Sequence, residues 1–138
     1  MATKIQKKRM EKKITNPWEW QDQLSFVQAV EVTQIQGTLY VSGQTAISAD
    51  GQSSTGDMKT QLTGAIQNLE QVIREAGYDC KNIVHLKIYT ISTADLWPQY
   101  NILQEWIDKN DIKVTMTLLE VKGLFETLTV ELEAIVVR

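Results

Sequence analysis

The apolar positions of the chain repeat with two periods, one typical of helices and one typical of strands. In the middle of the chain they recur every three or four residues, which predicts an amphipathic helix that Asp57 can cap and Gly77 can end. These apolar positions are Met58, Leu62, Ile66, Leu69, Val72 and Ile73. A similar pattern predicts a second helix over residues 96–107, which tolerates Pro98 in its first turn.

Short apolar-rich runs predict strands on either side of these helices. A first strand over residues 24–32 is expected to form a hairpin with a second strand over 38–42, through a turn at Gln36-Gly37. The remaining predicted strands cover residues 83–89, 115–121 and 128–137. The order β-β-α-β-α-β-β predicts an α+β domain with a mixed sheet and two helices packed on one face.

Alternation in the last predicted strand indicates which face of the sheet meets the helices. The apolar residues that alternate there are Leu128, Val130, Leu132, Ala134 and Val136. The opposite face is predicted to be polar but interrupted by Met116, Leu118, Ile135 and Val137. A sheet face of this mixed kind favours an assembly surface over open solvent.

The net charge of −3 hides a strong asymmetry between the start of the chain and the rest. Residues 1–14 hold six basic residues and one glutamate, a balance of +5, so the remainder carries −8. Asn16-Pro17 separates a basic arm, residues 1–16, from a single domain over 17–138. We expect a flexible arm that folding does not need, and that either stays solvated or contacts an anionic surface. The acidic domain argues against binding of nucleic acid except through the arm.

Composition narrows the class of protein further. Hydrophobic residues make up 43% and charged residues 22%, as in soluble globular domains. No apolar run approaches the roughly 20 residues of a membrane span, and no secretory signal is evident. Cys80 and His85 are each single, so neither an internal disulfide nor a zinc ligand set is expected. The sequence predicts a cytoplasmic protein without a metal or a cofactor.

Two runs, Leu39–Thr45 and Leu128–Val137, together with their spacing and the helix between them, resemble the Rid/YjgF family. This family is also called the endoribonuclease L-PSP or translation initiation inhibitor family. The resemblance extends from Phe26 to Val137. It implies a chorismate mutase-like fold and a homotrimer in which three sheets surround a central barrel. It also implies small-molecule clefts between subunits, where the best-known members deaminate reactive enamines and imines.

The resemblance also implies roles for particular residues in such a cleft. Ser42, in the run Ser42-Gly43-Gln44, would line it, and Glu131 would position the attacking water; these are the candidate catalytic residues. A carboxylate can deprotonate water if burial raises its pKa toward the working pH. The remaining candidate residues for substrate binding are Phe26, either Tyr100 or Asn101, Met116 and Leu118.

Two positions depart from the family pattern. Met116 stands where deaminating members carry an arginine that grips the substrate carboxylate, and Leu118 stands where they often have a cysteine. A guanidinium makes two parallel charge-assisted hydrogen bonds to a carboxylate, which a thioether cannot replace. Lys87 or Lys122 could replace the arginine from a neighbouring strand, and Lys122 is the better candidate because strand parity puts it on the face of Met116. The alternative is a solvent-facing lysine near a turn. The usual deamination of 2-aminoacrylate is therefore not expected.

Two functions from different classes remain open on this sequence. One is a Rid-like hydrolase for a small enamine or imine that lacks the usual carboxylate or presents it elsewhere. The other is a non-enzymatic trimer whose clefts bind a small neutral ligand or a protein partner. Neither function requires a cofactor.

Overall fold

The computed structural model describes residues 9–138. They form an α+β fold with a mixed sheet, as the sequence predicted. The strands are β1 (Glu11–Thr15), β2 (Ala29–Thr33), β3 (Thr38–Gln44), β4 (Ile83–Thr90), β5 (Thr115–Glu120) and β6 (Val130–Val137). The helices are α1 (Met58–Glu75), the single turn α2 (Thr93–Leu96) and α3 (Tyr100–Lys109), and short 3-10 turns cover Trp20–Leu24, Cys80–Asn82 and Trp97–Gln99.

The main sheet has four strands in the order β3-β6-β4-β5. Strand β6 lies in the middle and pairs antiparallel with both β3 and β4, whereas β5 pairs parallel with β4. The pairing of β3 with β6 slips by one residue, because Val41 faces Ala134 but Gln44 faces Leu132. The extra residue is a β-bulge at Ser42-Gly43, which bends this edge of the sheet.

The predicted helix α1 packs against the sheet and forms the core together with α3. Asp57 caps the helix by accepting a 2.9 Å hydrogen bond from the Thr60 amide, and Gly77 adopts the left-handed conformation beyond its end. The Trp106 indole donates a 2.6 Å hydrogen bond to Glu70 and so ties α3 to α1. The apolar set predicted to point inward from the last strand is buried: Leu128, Val130, Leu132, Ala134 and Val136.

The second predicted helix is divided at Pro98. Thr93–Leu96 forms one α-helical turn, Trp97–Gln99 continues as a 3-10 turn, and Tyr100–Lys109 is a regular α-helix. Proline lacks an amide hydrogen and its ring crowds the preceding turn, which accounts for the change of helix type. Within residues 9–138, no helix is both long and apolar enough to span a bilayer.

The N-terminal part of the domain differs from the prediction. Residues 24–32 begin in a 3-10 turn, and Ser25 adopts a left-handed φ of 61°, so the strand starts only at Ala29. This strand, β2, pairs with β1 rather than with β3, so the expected hairpin is wrong.

Strand β1 lies inside the segment that was predicted to be a flexible arm. Glu11–Thr15 is an ordered strand, so this part of residues 1–16 is not a free arm. The Lys12 ammonium fixes it to the body of the domain by donating hydrogen bonds to the Lys81 carbonyl and to Asn82. The first eight residues of the predicted arm lie outside the described part of the chain.

The register of β5 corrects the predicted face of two residues. Met116 pairs with Leu86 and Leu118 pairs with Ile88, and both β4 residues are completely buried on the helix side of the sheet. Met116 and Leu118 are accordingly half-buried against the core and do not lie on the outer face. The outer face carries Tyr40, His85, Lys87, Tyr89, Glu131, Glu133 and Ile135.

Candidate functional site

The outer face of the sheet holds Glu131 directly over the bulge in β3. A methyl group added to Gly43 would lie 2.5 Å from Cδ of Glu131, which is closer than carbon atoms can approach. The missing side chain at Gly43 therefore leaves the space that the Glu131 carboxyl group occupies. Ser42, the other residue of the bulge, is exposed beside it. The structure thus brings together the two residues predicted to be catalytic on one face of the sheet.

The surroundings of Glu131 disfavour its negative charge. Burial raises the pKa of Glu131, and the nearby negative charge of Glu133 raises it further. Glu133 itself accepts a 3.2 Å hydrogen bond from Tyr89 and lies 4.0 Å from the Lys87 ammonium. Among residues 9–138, no side chain donates a hydrogen bond to the Glu131 carboxylate. A carboxylate with a raised pKa and with no donor side chain among the described residues is suited to accept a proton from water.

Met116 lies on the opposite face, against Tyr100. The Tyr100 hydroxyl donates a 2.7 Å hydrogen bond to the Leu24 carbonyl, and its oxygen lies 3.3 Å from the Met116 sulfur. Burial raises the pKa of Tyr100 to about 12, so the hydroxyl stays protonated and can donate. Met116 is thus in contact with a neutral phenol, and its immediate surroundings are apolar and aromatic.

Tyr100 also settles which of two predicted helix residues faces Met116. Asn101, the alternative, is exposed on α3. The Trp97 ring stacks on Tyr100 with ring centres 5.2 Å apart and planes at 22°, and 59% of Trp97 is exposed. Trp97 belongs to no sequence motif, and only its stacking on Tyr100 marks it as a candidate site residue.

The other predicted binding residues lie on the same side as Met116. Leu118 is half-buried against the core one pleat further along β5. Phe26 also packs on the core, meets the Trp20 ring edge-on at 5.9 Å between centres, and lines a cavity of about 320 Å³. The predicted residues therefore form two groups on opposite faces of the sheet: Ser42 with Glu131, and Phe26, Tyr100, Met116 and Leu118.

Three other side chains with reactive or charged groups are His85, Cys80 and Lys122. Nδ1 of His85 lies 2.9 Å from the Thr115 hydroxyl, which itself donates to the Val84 carbonyl, so the pair links β4 to β5. Burial raises the pKa of Cys80 to about 11, which leaves its thiol protonated and unreactive. Lys122 is exposed beyond the end of β5. Within residues 9–138, no group of three or more His, Cys, Asp or Glu side chains is placed to hold a metal ion.

Comparison with protein families gives a match over most of the chain. Residues 21–138 match the model of the family described as endoribonuclease L-PSP. A RutC family protein of Aquifex aeolicus is 27% identical over 113 residues, which cover 82% of this chain and 88% of that protein. A RutC family protein of Pyrococcus abyssi is 26% identical over 111 residues, covering 80% and 84% of the two chains.

Solved structures show the same fold. The Rid family protein YyfB of Yersinia pestis, described as a protein of unknown function, superimposes with a TM-score of 0.75 at 26% identity, covering 92% of this chain and 98% of that one. The YjgF gene product of E. coli gives a TM-score of 0.66 at 22% identity, covering 81% and 87%. E. coli TdcF, solved with bound serine, gives 0.68 at 21% identity over the same shares of the two chains.

Proposed function

Since this chain belongs to the endoribonuclease L-PSP family, also called the Rid or YjgF family, we propose that it forms a trimer whose intersubunit clefts hydrolyse a small enamine or imine without a carboxylate. Glu131 acts as the base and Ser42 lines the cleft beside it. The single observation that carries this proposal is the position of Glu131 over Gly43, with a raised pKa and with no donor side chain among the described residues.

The distribution of the candidate residues supports an assembly. In one chain, Glu131 lies on the outer face of the sheet and Met116 lies on the helix face, so the sheet itself separates them. A cleft that contains both groups needs the outer face of one subunit and the β5 edge of another. The outer face also carries Tyr40, which is 77% exposed, and the half-exposed Leu119 on β5. Such apolar side chains on a sheet face favour contact with a neighbouring subunit.

The chemistry assigned to Glu131 is general base catalysis. The carboxylate accepts a proton from a water molecule while the water oxygen bonds to the imine carbon. Glu131 passes this proton to the nitrogen, which gives a carbinolamine. The carbinolamine hydroxyl then transfers its own proton to the nitrogen through Glu131 as the carbon–nitrogen bond breaks, so that ammonia leaves and a carbonyl group forms. An enamine substrate first tautomerises to the imine. A base works best when its pKa lies near the working pH, so the upward shift at Glu131 favours the first step.

Met116 and its neighbours determine the class of substrate. The Met116 sulfur and the protonated Tyr100 hydroxyl carry no positive charge, and the hydroxyl already donates to the Leu24 carbonyl. Burying a carboxylate against them would cost desolvation free energy, and no guanidinium within residues 9–138 is present there to offset this cost. We therefore propose a substrate that is neutral at this end, small and flat enough to lie near the exposed Trp97 ring.

The test combines ammonia release with oligomer size. We expect the protein to release ammonia from ketimines and enamine amides that carry no carboxylate. Glu131→Gln should lose this activity. The control Glu105→Gln, which removes an exposed carboxylate of α3, should retain it. Light scattering should give three times the chain mass of 15.7 kDa. A monomer at micromolar concentration, or ammonia release that survives Glu131→Gln, would overturn the proposal.

A second function is favoured by the contact between Tyr100 and Met116. The Tyr100 hydroxyl packs on the Met116 sulfur and donates its hydrogen bond to the Leu24 carbonyl. These groups would give the cleft a neutral and mostly apolar wall without a reactive group. Such a wall suits a non-enzymatic trimer that binds a neutral ligand or a protein partner. In that case a ligand would bind equally to the unmodified protein and to Glu131→Gln, and no ammonia would be released from either.

A further inference from the structure

A basic cavity lies at the junction between β1 and the body of the domain. Its volume is about 500 Å³, within the roughly 300–1,000 Å³ of typical small-molecule sites. Strand β1, the turn before β4 and the segment after α3 contribute its walls. Its lining contains four cationic side chains and one carboxylate: Arg9, Lys12, Lys81, Lys113 and Asp111.

Lys12 is held in place at this cavity. Its ammonium group donates a 3.0 Å hydrogen bond to the Lys81 carbonyl and a 2.9 Å hydrogen bond to Oδ1 of Asn82. An ammonium group has three donors, so one is left for a ligand. Burial lowers the pKa of Lys12, and the positive charge of Lys81 lowers it further. Two positive charges therefore lie close together where water is partly excluded.

The carboxylates near the cavity already have partners. Asp111 lies 3.3 Å from the Lys113 ammonium, and its side chain is 83% exposed. Asp79 accepts a 3.0 Å hydrogen bond from the Lys81 amide. These two groups offset part of the positive charge, but an excess remains on Arg9, Lys12 and Lys81. An anion would relieve the repulsion between the ammonium groups and accept hydrogen bonds from them.

We propose that this cavity binds a small phosphate-bearing anion, either free phosphate or the phosphate of a small metabolite. This site is independent of the cleft around Glu131, because its residues come from other elements. Phosphate fits the chemistry, since its several oxygens can accept hydrogen bonds from separate ammonium groups at once. The cavity volume of about 500 Å³ suits a small ligand.

The experiment is calorimetric titration of the full chain with phosphate, pyrophosphate, AMP and adenosine at low salt. We expect binding of the three anions and none of adenosine. K81Q should weaken binding roughly tenfold, the loss of one charge-assisted hydrogen bond, and K113Q should weaken it less, because Lys113 is already paired with Asp111. Lys12 is left unchanged because its hydrogen bonds hold β1. The matched control is K122Q, which removes an exposed lysine beyond β5 and should bind like the unmodified protein.

Several results would overturn the proposal. One is the absence of heat with millimolar pyrophosphate, and another is unchanged affinity in the K81Q/K113Q double variant. Binding that K122Q weakens as much as K81Q would indicate general charge attraction instead of a site. Tighter binding of oligonucleotides, with affinity and salt dependence that rise with length, would assign the surface to a polyanion and not to a small ligand.

Discussion

The Glu131 carboxyl group occupies the space that a side chain at Gly43 would fill: a methyl group at Gly43 would lie 2.5 Å from Cδ and 2.6 Å from Oε1 of Glu131. The fit connects a bulge at the edge of the sheet with a carboxylate on its central strand. It also makes the position of Glu131 testable without any substrate.

The first prediction concerns Gly43→Ala. The new methyl group should displace the Glu131 side chain, lower the thermal midpoint and abolish the proposed ammonia release. In a Glu131→Ala background the same change should cost less stability, because the overlapping atoms are gone; a double-mutant cycle measures the difference. Gly123→Ala is the control, since a methyl group there meets nothing within 4 Å. Equal costs in both backgrounds would contradict the packing.

The second prediction concerns the pH dependence of stability. Because the pKa of Glu131 is raised in the folded protein, its contribution is fully present below the ordinary value of 4.5 and is lost as pH rises through the folded-state pKa. Glu131→Gln should therefore unfold at a higher temperature than the unmodified protein at about pH 7, and at the same temperature at about pH 4. Thermal unfolding of both proteins, with Glu105→Gln as the control, measures this. A variant less stable at neutral pH would show that Glu131 is stabilised as a carboxylate.

The third prediction concerns substrate charge at Met116. The unmodified protein should turn over 2-aminoacrylate far more slowly than arginine-bearing relatives, because a buried carboxylate would lack its bidentate partner. Met116→Arg alone should lower stability, since it places a cation against the Tyr100 hydroxyl. The double variant Met116→Arg/Tyr100→Asn, which also removes the phenol, should form a measurable amount of keto acid from 2-aminoacrylate. Adding Glu131→Gln to the double variant should abolish this activity.

A coupled assay of keto-acid formation compares these variants. Fast turnover by the unmodified protein would show that another group, such as Lys122 or a backbone amide, anchors the carboxylate. Activity of the double variant that persists after Glu131→Gln would instead show that Glu131 is not the base.

The fourth prediction concerns β1. Deleting residues 1–15 should lower the thermal midpoint by several degrees, because it removes the pairing with β2 and the hydrogen bonds of Lys12 to the Lys81 carbonyl and Asn82. Lys12→Met separates the contribution of the side chain from that of the strand. An unchanged midpoint in the deletion would mean that β1 adds nothing to stability, as the composition of the segment alone suggested.

The sequence predicted those parts of the fold in which one element determines its own structure. Helix α1 is an example, since its apolar period, the Asp57 cap and Gly77 all lie within one segment. The alternation in β6 likewise identified the buried set correctly.

Parts that depend on pairing between distant segments could not be predicted in this way. The two-residue spacing of Met116 and Leu118 shows that they share one face of β5. Only the register of β5 with Leu86 on β4 shows that this face meets the helices. Strand β1 has no apolar alternation and depends on backbone pairing with β2, so its lysines suggested a solvated arm. The candidate site shows the same limit, because the motif around Ser42 does not reveal that Gly43 makes room for Glu131.

The bulge at Ser42-Gly43 has a further consequence for how this protein behaves at high concentration. Among residues 9–138, strand β3 is one of the two edge strands of the main sheet. A regular edge can recruit a strand from another molecule and extend into a fibril. The inserted residue puts the backbone donors and acceptors of β3 out of step. An incoming strand could therefore not pair along the whole edge. The irregularity that accommodates Glu131 also protects this edge from uncontrolled polymerisation.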